Sequence, residues 1–352
     1  LQLLAMKKIP VPEPKSVGFM LSYRCTARCA HCMYFCSPEW EDDLTSAQEL
    51  RRTLEILSHH VVPSPTGPNS IGLNHGLHFT GGEPFLQYER LLKATRVAND
   101  LGIPSLFVET NSYWGRDKKR ARNKLLELKD AGLKGIMISV NPFYVEYVPF
   151  ENTKNAIKTG KEVFGDDAIV YQKSYLREFE RMGLQGTLNL EEYVNNRGGN
   201  LLNSAEFFLS GRAPYSVPRY KVAGMSPRPA NFWFVKPCPT PLLREWHNHV
   251  DNYGNYVPGY CGGLTYGNIE DLQSLIADGL DSGKHRILAR LAEDDMAGLL
   301  ELAKDHGYME KEGYYSKCHI CLDLRTHLHE SGEFPELKPD EFYERIRIER
   351  GG

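Results

Sequence analysis

Short apolar runs alternate with stretches of helical period from residue 17 to residue 210. The runs at 17–23, 76–80, 105–110, 135–140, 168–172 and 206–210 have strand length and are separated by longer amphipathic segments. Leu50, Leu54 and Leu57 mark one helical face, Leu91, Ala94 and Val97 a second, and Leu125 and Leu128, with Leu133 just beyond, a third. Ser46 followed three residues later by Glu49 predicts a capping box at the start of the first helix. Six β/α units in series predict an α/β fold with a parallel sheet. Right-handed crossovers would then gather the loops after the strands on one rim, the usual place for chemistry in such sheets. An extended arm punctuated by Pro10, Pro12 and Pro14 occupies residues 1–15, and the Pro- and Gly-rich stretch 61–76 predicts a loop insertion before the second strand.

The β/α rhythm stops beyond Tyr215, where Pro214, Pro218, Pro227 and Pro229 mark a linker. The expected domains are therefore the arm 1–15, the β/α region 16–215, and a smaller α+β module 216–352. In that module residues 232–235 and 246–250 predict strands, 252–255 a hairpin turn and 256–258 the return strand. Helical patterns follow near 272–276, 285–291 and 296–306.

Composition changes this picture little. The chain has 352 residues, 41% hydrophobic and 25% charged, which suits one large domain with a smaller appended one. A net charge of -3 offers no broad basic face for phosphate backbones, and the run Arg116 to Arg122 reads as the solvated start of a helix. Nucleic acid is not the expected substrate. The sequence shows neither an apolar run near the roughly 20 residues that span a bilayer nor a signal-peptide pattern, so no membrane association is expected.

The chemistry lies in the eight cysteines, at 25, 29, 32, 36, 238, 261, 318 and 321. Their division into early and late groups argues against a disulfide framework and for a reducing cytoplasm. Cys25, Cys29 and Cys32 stand on one loop directly after the first predicted strand. Three soft ligands suit zinc or an iron-sulfur cluster, and a four-iron cube held by three thiolates keeps one iron open.

The Cys-x3-Cys-x2-Cys loop after the first strand, with Gly81-Gly82-Glu83-Pro84 after the second, resembles the radical S-adenosylmethionine (radical SAM) enzymes. The resemblance implies a partial (β/α)6 TIM-like barrel over residues 16–215. It implies a [4Fe-4S] cluster on Cys25, Cys29 and Cys32 whose open iron chelates SAM. One electron then cleaves SAM to a 5′-deoxyadenosyl radical that takes a hydrogen from substrate, with a flavodoxin or ferredoxin as electron donor. Gly81 and Gly82 would allow close backbone approach to the methionine moiety, and Glu83 would accept from its ammonium. His31 would back the adenine, while Asn111, Ser139 and Asn141 fall at strand ends where the family places SAM contacts. Arg212 could meet the SAM carboxylate or form a salt bridge between domains. Tyr144, Gln172, Lys173, Trp114, Arg116 and Trp233 are eligible for the substrate pocket.

Cys238, Cys261, Cys318 and Cys321 would make a closed four-thiolate site. Zinc fits that inventory. The Gly254–Cys261 hairpin with the terminal Cys-x2-Cys looks like the SPASM/twitch extension, which implies an auxiliary [4Fe-4S] cluster. Six residues separate Gly254 from Cys261 where the family commonly has four, and no cysteine follows Cys321, which points to the shorter twitch form. A fully ligated cluster suits electron transfer and hence net oxidation or bond formation on a small-molecule or peptide substrate. Two rivals stand beside this reading: an epimerase in which Cys36 returns a hydrogen atom, and a zinc-stabilised binding protein without SAM. His247 and His249, two apart on a strand, share one face and read as a solvated pair, and His319 as a neighbour of the second thiol site.

Overall fold

The computed structural model describes residues 7–41, 43, 45–197, 208–220, 225–238 and 242–351. Five strands follow the expected βα rhythm: β1 (Ser16–Met20), β2 (Gly76–Thr80), β3 (Phe107–Thr110), β4 (Gly135–Ser139) and β5 (Ala168–Tyr171). They lie side by side in sequence order and all pair in parallel. The fold is thus α/β with a mostly parallel central sheet, consistent with a partial TIM barrel.

The sixth unit departs from expectation. Residues 206 and 207 of the sixth predicted strand lie outside the described residues, and 208–210 form no strand. The strand beyond β1 comes instead from the carboxyl-terminal region. β6 (Asn248–Val250) runs parallel to β1, and β7 (Tyr256–Val257) returns antiparallel to β6. The predicted hairpin therefore forms, but as an extension of the sheet of the β/α region and not within a separate one.

Alternation assigns the two faces of the sheet. Val17, Phe19, Leu77, Phe79, Val108, Ile136 and Ile138 point to the main core under the helices. Phe107 and Met137 point the other way and pack with Ile71 in a second, small apolar group inside the curve of the sheet. The helices α1 (Ala47–Ser58), α2 (Tyr88–Asp100), α3 (Lys118–Asp130) and α4 (Phe150–Phe164) cover the outer face. Leu50, Leu54 and Leu57 are fully buried, as the apolar period requires. The capping box is complete, with Ser46 Oγ accepting from Glu49 N at 3.2 Å and Glu49 Oε2 from Ser46 N at 2.7 Å. Asp117 caps α3 from inside the basic run, which is a helix start as expected.

In the carboxyl-terminal region, residues 232–235 do not extend as a strand. Ala230–Phe234 is a short helix, with Phe232 and Val235 exposed. Their aromatic composition suits a strand, but the chain there pairs with no sheet edge; just upstream, Arg228 exchanges backbone hydrogen bonds with Tyr314 alone. Helices Leu272–Asp278, Arg286–Ala292 and Met296–Asp305 match the predicted patterns. Two more, α5 (Lys317–His329) and α6 (Asp340–Gly351), bring residues to the functional region. Among the described residues no helix is long and apolar enough to cross a membrane.

Candidate functional site

Cys25, Cys29 and Cys32 leave the carboxyl end of β1 together, and a backbone bond from Cys32 N to Cys29 O at 3.1 Å tightens the loop. Cys25 and Cys29 are buried, Cys32 partly so. Burial pushes the Cys25 thiol up to about 12 and Cys29 well above its ordinary value. Cys32 is held at about 6 instead, chiefly by the hydrogen bond from the Cys36 thiol, with Arg212 adding to it against burial.

The Gly81-Gly82-Glu83 turn docks directly on this loop. Gly82 N donates to Ser22 O at 2.8 Å and Glu83 N to Arg24 O at 3.1 Å. A Cβ on Gly81, whose φ is +113°, would meet Ser22 O at 2.5 Å, and one on Gly82 would meet Arg24 O at 1.9 Å. The glycines are thus demanded by turn-to-loop packing within the protein, whatever else approaches them. Gly82→Ala is expected to displace the cysteine loop, measured as a lower melting temperature together with reduced iron uptake in reconstitution.

Glu83 is buried, and its carboxylate takes three protein donors. Oε1 accepts from Thr110 Oγ1 at 2.8 Å and Phe85 N at 3.1 Å, and Oε2 from Asn111 N at 2.8 Å. One of its four acceptor positions stays open for a further donor. Burial outweighs these bonds and lifts the carboxyl to about 7. Asn111, held by Tyr113 N on its Oδ1, directs Nδ2 toward Cys25 Sγ at 3.8 Å and Thr26 Oγ1 at 3.0 Å. Asn141 caps the turn Pro142–Val145 and directs Nδ2 to His31 Nε2 at 3.3 Å. His31 stacks on Phe143 with ring centroids 4.6 Å apart, and its Nδ1 is buried with no hydrogen-bond partner among the described residues. Ser139 ends β4 beside this group. Glu83, Asn111, Ser139, Asn141 and His31 therefore stand on the one rim that carries the cysteine loop.

Arg212 answers the choice left open by its sequence. Its guanidinium grips Glu349 of α6 from two nitrogens, at 2.7 and 2.9 Å, and donates to the carbonyls of Cys29 at 2.9 Å and Cys36 at 3.1 Å. Four of its five donors are thus taken by protein. It straps the cysteine loop to the last helix, the salt bridge that its sequence offered as one of two roles. Cys36 is buried against Cys32 and Tyr23. Trp114 is also structural, buried on Phe85 with Nε1 bonded to Thr110 Oγ1.

The second thiol group assembles from three elements. Cys318 and Cys321 sit three apart in the first two turns of α5, which Ser316 caps, so they share a face. Cys261 follows the β6–β7 hairpin, and Cys238 comes from the preceding segment. The four, with Arg325, line one cavity that Met33 closes on the side of the cysteine loop. Burial and the three neighbouring thiols raise Cys318 well above its ordinary value. His319 stacks on Tyr315 at 5.9 Å and accepts from Tyr315 N, a neighbour and not a member of the group.

Residues missed in the sequence lie inside the sheet. His78, His247 and His249 are all buried, which overturns the reading of the last two as a solvated pair. Burial lowers His78 and His247 to about 3 and His249 well below its ordinary value, which favours the neutral form of each ring. Gly18 in an otherwise apolar strand was the available signal, since a strand-interior glycine often marks a close approach.

Residues 19–164, from β1 to the end of α4, match the radical SAM superfamily. This stretch is a radical SAM domain. The chain is similar to GTP 3′,8-cyclase of Nautilia profundicola, with 25% identity over 255 residues covering 70% of this chain and 71% of that protein. It is also similar to YydG of Bacillus subtilis, named for peptide biosynthesis, at 22% identity over 156 residues; the match spans 42% of the length of each. Among solved structures, BtrN in complex with AdoMet and 2-DOIA matches with a TM-score of 0.43 and 14% identity, covering 82% of this chain and 90% of that one. Native anSMEcpe with bound AdoMet matches with a TM-score of 0.40 and 12% identity over 96% and 99%. The radical SAM domain begins within β1, so it takes in both the cysteine loop and the Gly81-Gly82-Glu83 turn.

Proposed function

We propose that the chain is a radical SAM enzyme acting on a small-molecule or peptide substrate, with net oxidation or bond formation as the outcome. In this reading Cys25, Cys29 and Cys32 hold the SAM-binding [4Fe-4S] cluster, and Cys238, Cys261, Cys318 and Cys321 hold an auxiliary one, as in a twitch-type extension. The observation that carries it is the adjacency of the two thiol groups. Met33, next in the chain to Cys32, lines the cavity of the second group, and a Cβ on Gly211 or Gly262 would strike the Met33 backbone at 2.4 and 2.9 Å. One stretch of backbone separates two electron carriers.

Three thiolates on one loop suit a four-iron cube with one iron open, and four thiolates from three elements suit a closed one. A reduced cluster with SAM supplies one-electron cleavage of the sulfonium bond and hydrogen abstraction from substrate. The protein's part is placement. Glu83 keeps one acceptor position for the SAM ammonium, the His31 ring, backed by Phe143, offers an adenine contact, and Ser139 and Asn141 lie beside it on the rim. Arg212 and Glu349 hold the loop rigid. The electron would come from a flavodoxin or ferredoxin in a reducing cytoplasm, and the auxiliary site would carry away the electron left on substrate.

Asn111 tunes the first cluster through its contact with Cys25 sulfur, because a hydrogen bond to a ligand sulfur raises a cluster's potential. Asn111→Leu is expected to lower that potential, read by redox titration with electron paramagnetic resonance, at unchanged iron content. The auxiliary assignment is tested by Cys318→Ala/Cys321→Ala. Iron per chain should fall from about eight to about four while SAM cleavage persists. Unchanged iron in that variant would refute it.

A further inference from the structure

Inside the sheet, below the cysteine loop, three histidines converge on one point. Gly18 of β1 pairs with His78 of β2 on one side and His249 of β6 on the other, and His247 stands just before β6 on the same face. Ring centroids are 5.1 Å apart for His78 and His247, 5.1 Å for His247 and His249, and 5.9 Å for His78 and His249. One nitrogen from each ring lies within 4.8 Å of the others.

The tautomers are arranged as in metal sites. His249 Nδ1 lies 2.8 Å from Gly259 O and His247 Nδ1 2.9 Å from Leu73 O. Each Nδ1–H therefore donates to a backbone carbonyl, which leaves each Nε2 lone pair free and its ring fixed. His78 is fully buried, yet neither of its nitrogens has a hydrogen-bond partner among the described residues. A buried polar group without a partner destabilises the fold unless something satisfies it. The nearest carboxylate is Glu109, with Oε1 3.7 Å from His78 Nε2. A tetrahedral ion with ~2.0 Å bonds would set its ligands ~3.3 Å apart. A Cβ at Gly18 would lie 2.6 Å from His78 Nε2 and 2.7 Å from His249 Nε2, so the glycine leaves open the space those nitrogens share.

We propose that His78, His247 and His249 bind one divalent transition-metal ion, for which Zn2+ is the best match, through their three Nε2 atoms, with the fourth position beside Glu109. Neutral imidazoles with a single nearby carboxylate suit a borderline ion and not a hard one. Three protein nitrogens with one further position is also the ligand count of a zinc that polarises an oxygen, in place of a closed structural site. Tyr34 ties the site to the cysteine loop, since its hydroxyl bonds Gly259 O and lies 3.1 Å from His249 Nδ1.

The test uses the full chain, reconstituted anaerobically with iron and sulfide so that the thiols are occupied, then titrated with Zn2+. The result expected is one zinc per chain with a zinc-edge X-ray absorption shell of nitrogen and oxygen near ~2.0 Å and no sulfur near ~2.3 Å. Gly18→Ala keeps every histidine, and His78→Ala removes one; each should weaken zinc binding by more than the ~100-fold that loss of a supporting contact costs, at unchanged iron content. Absence of zinc from the unsubstituted chain, a sulfur shell, or zinc retained by both variants would overturn the proposal. Should either variant fail to fold, the absorption spectrum of the unsubstituted chain decides alone. None of these readouts depends on whether SAM is cleaved.

Discussion

Replacing Cys25, Cys29 and Cys32 together by alanine is expected to abolish 5′-deoxyadenosine formation from SAM and to remove about four irons per chain, leaving about four on the carboxyl-terminal thiols. The loss should exceed the ~100-fold that removal of a supporting contact around a metal costs, because the ligands themselves disappear. Nothing nearby replaces them. Cys36 is the one other thiol touching the loop, and it is buried on Cys32. The alanine chain should still fold, since the sheet and its outer core are built by residues elsewhere in β1 to β5. Iron analysis with product chromatography checks this, and circular dichroism separates a lost cluster from a lost fold.

Arg212→Leu should produce the largest change in stability. The side chain is 3% exposed, its partner Glu349 7%, and its ring-like face lies 5.1 Å from Phe35. Removing it leaves a buried carboxylate and the Cys29 and Cys36 carbonyls short of donors. Breaking one side of such a pair costs about 3–5 kcal/mol, and Arg28, 3.6 Å from Glu349, can recover only part of it. Arg212→Lys should not restore stability, because an ammonium cannot make the two-nitrogen contact while reaching both carbonyls. Denaturant unfolding of both variants gives the cost. Iron content read in the same samples should fall as well, since the strap holds the cysteine loop itself.

The sequence made the β/α order legible because each helix and strand carries its own local period, and Ser46 with Glu49 marked a boundary by chemistry confined to four residues. The cysteine loop and the glycine turn were legible for the same reason. What escaped was long-range. His249 lies 231 residues from Gly18, and only the pairing of β6 with β1 turns a two-residue spacing from a solvated face into a buried one. Arg212 and Glu349 stand 137 apart, so the partner that claims the guanidinium was invisible in either motif. The sequence points Gly81 and Gly82 toward a cofactor, and it does not show that the backbone at Ser22 and Arg24 also requires them. Residues 232–235 had strand composition without a strand partner, and composition does not supply an edge.

The central claim is that this chain opens SAM at the cysteine loop. Its most direct measurement is the full chain reconstituted anaerobically, reduced, and given SAM, with iron, zinc and 5′-deoxyadenosine quantified in one sample. The account predicts about eight irons per chain and 5′-deoxyadenosine that requires reductant. Zinc on the cysteines with no 5′-deoxyadenosine would contradict it.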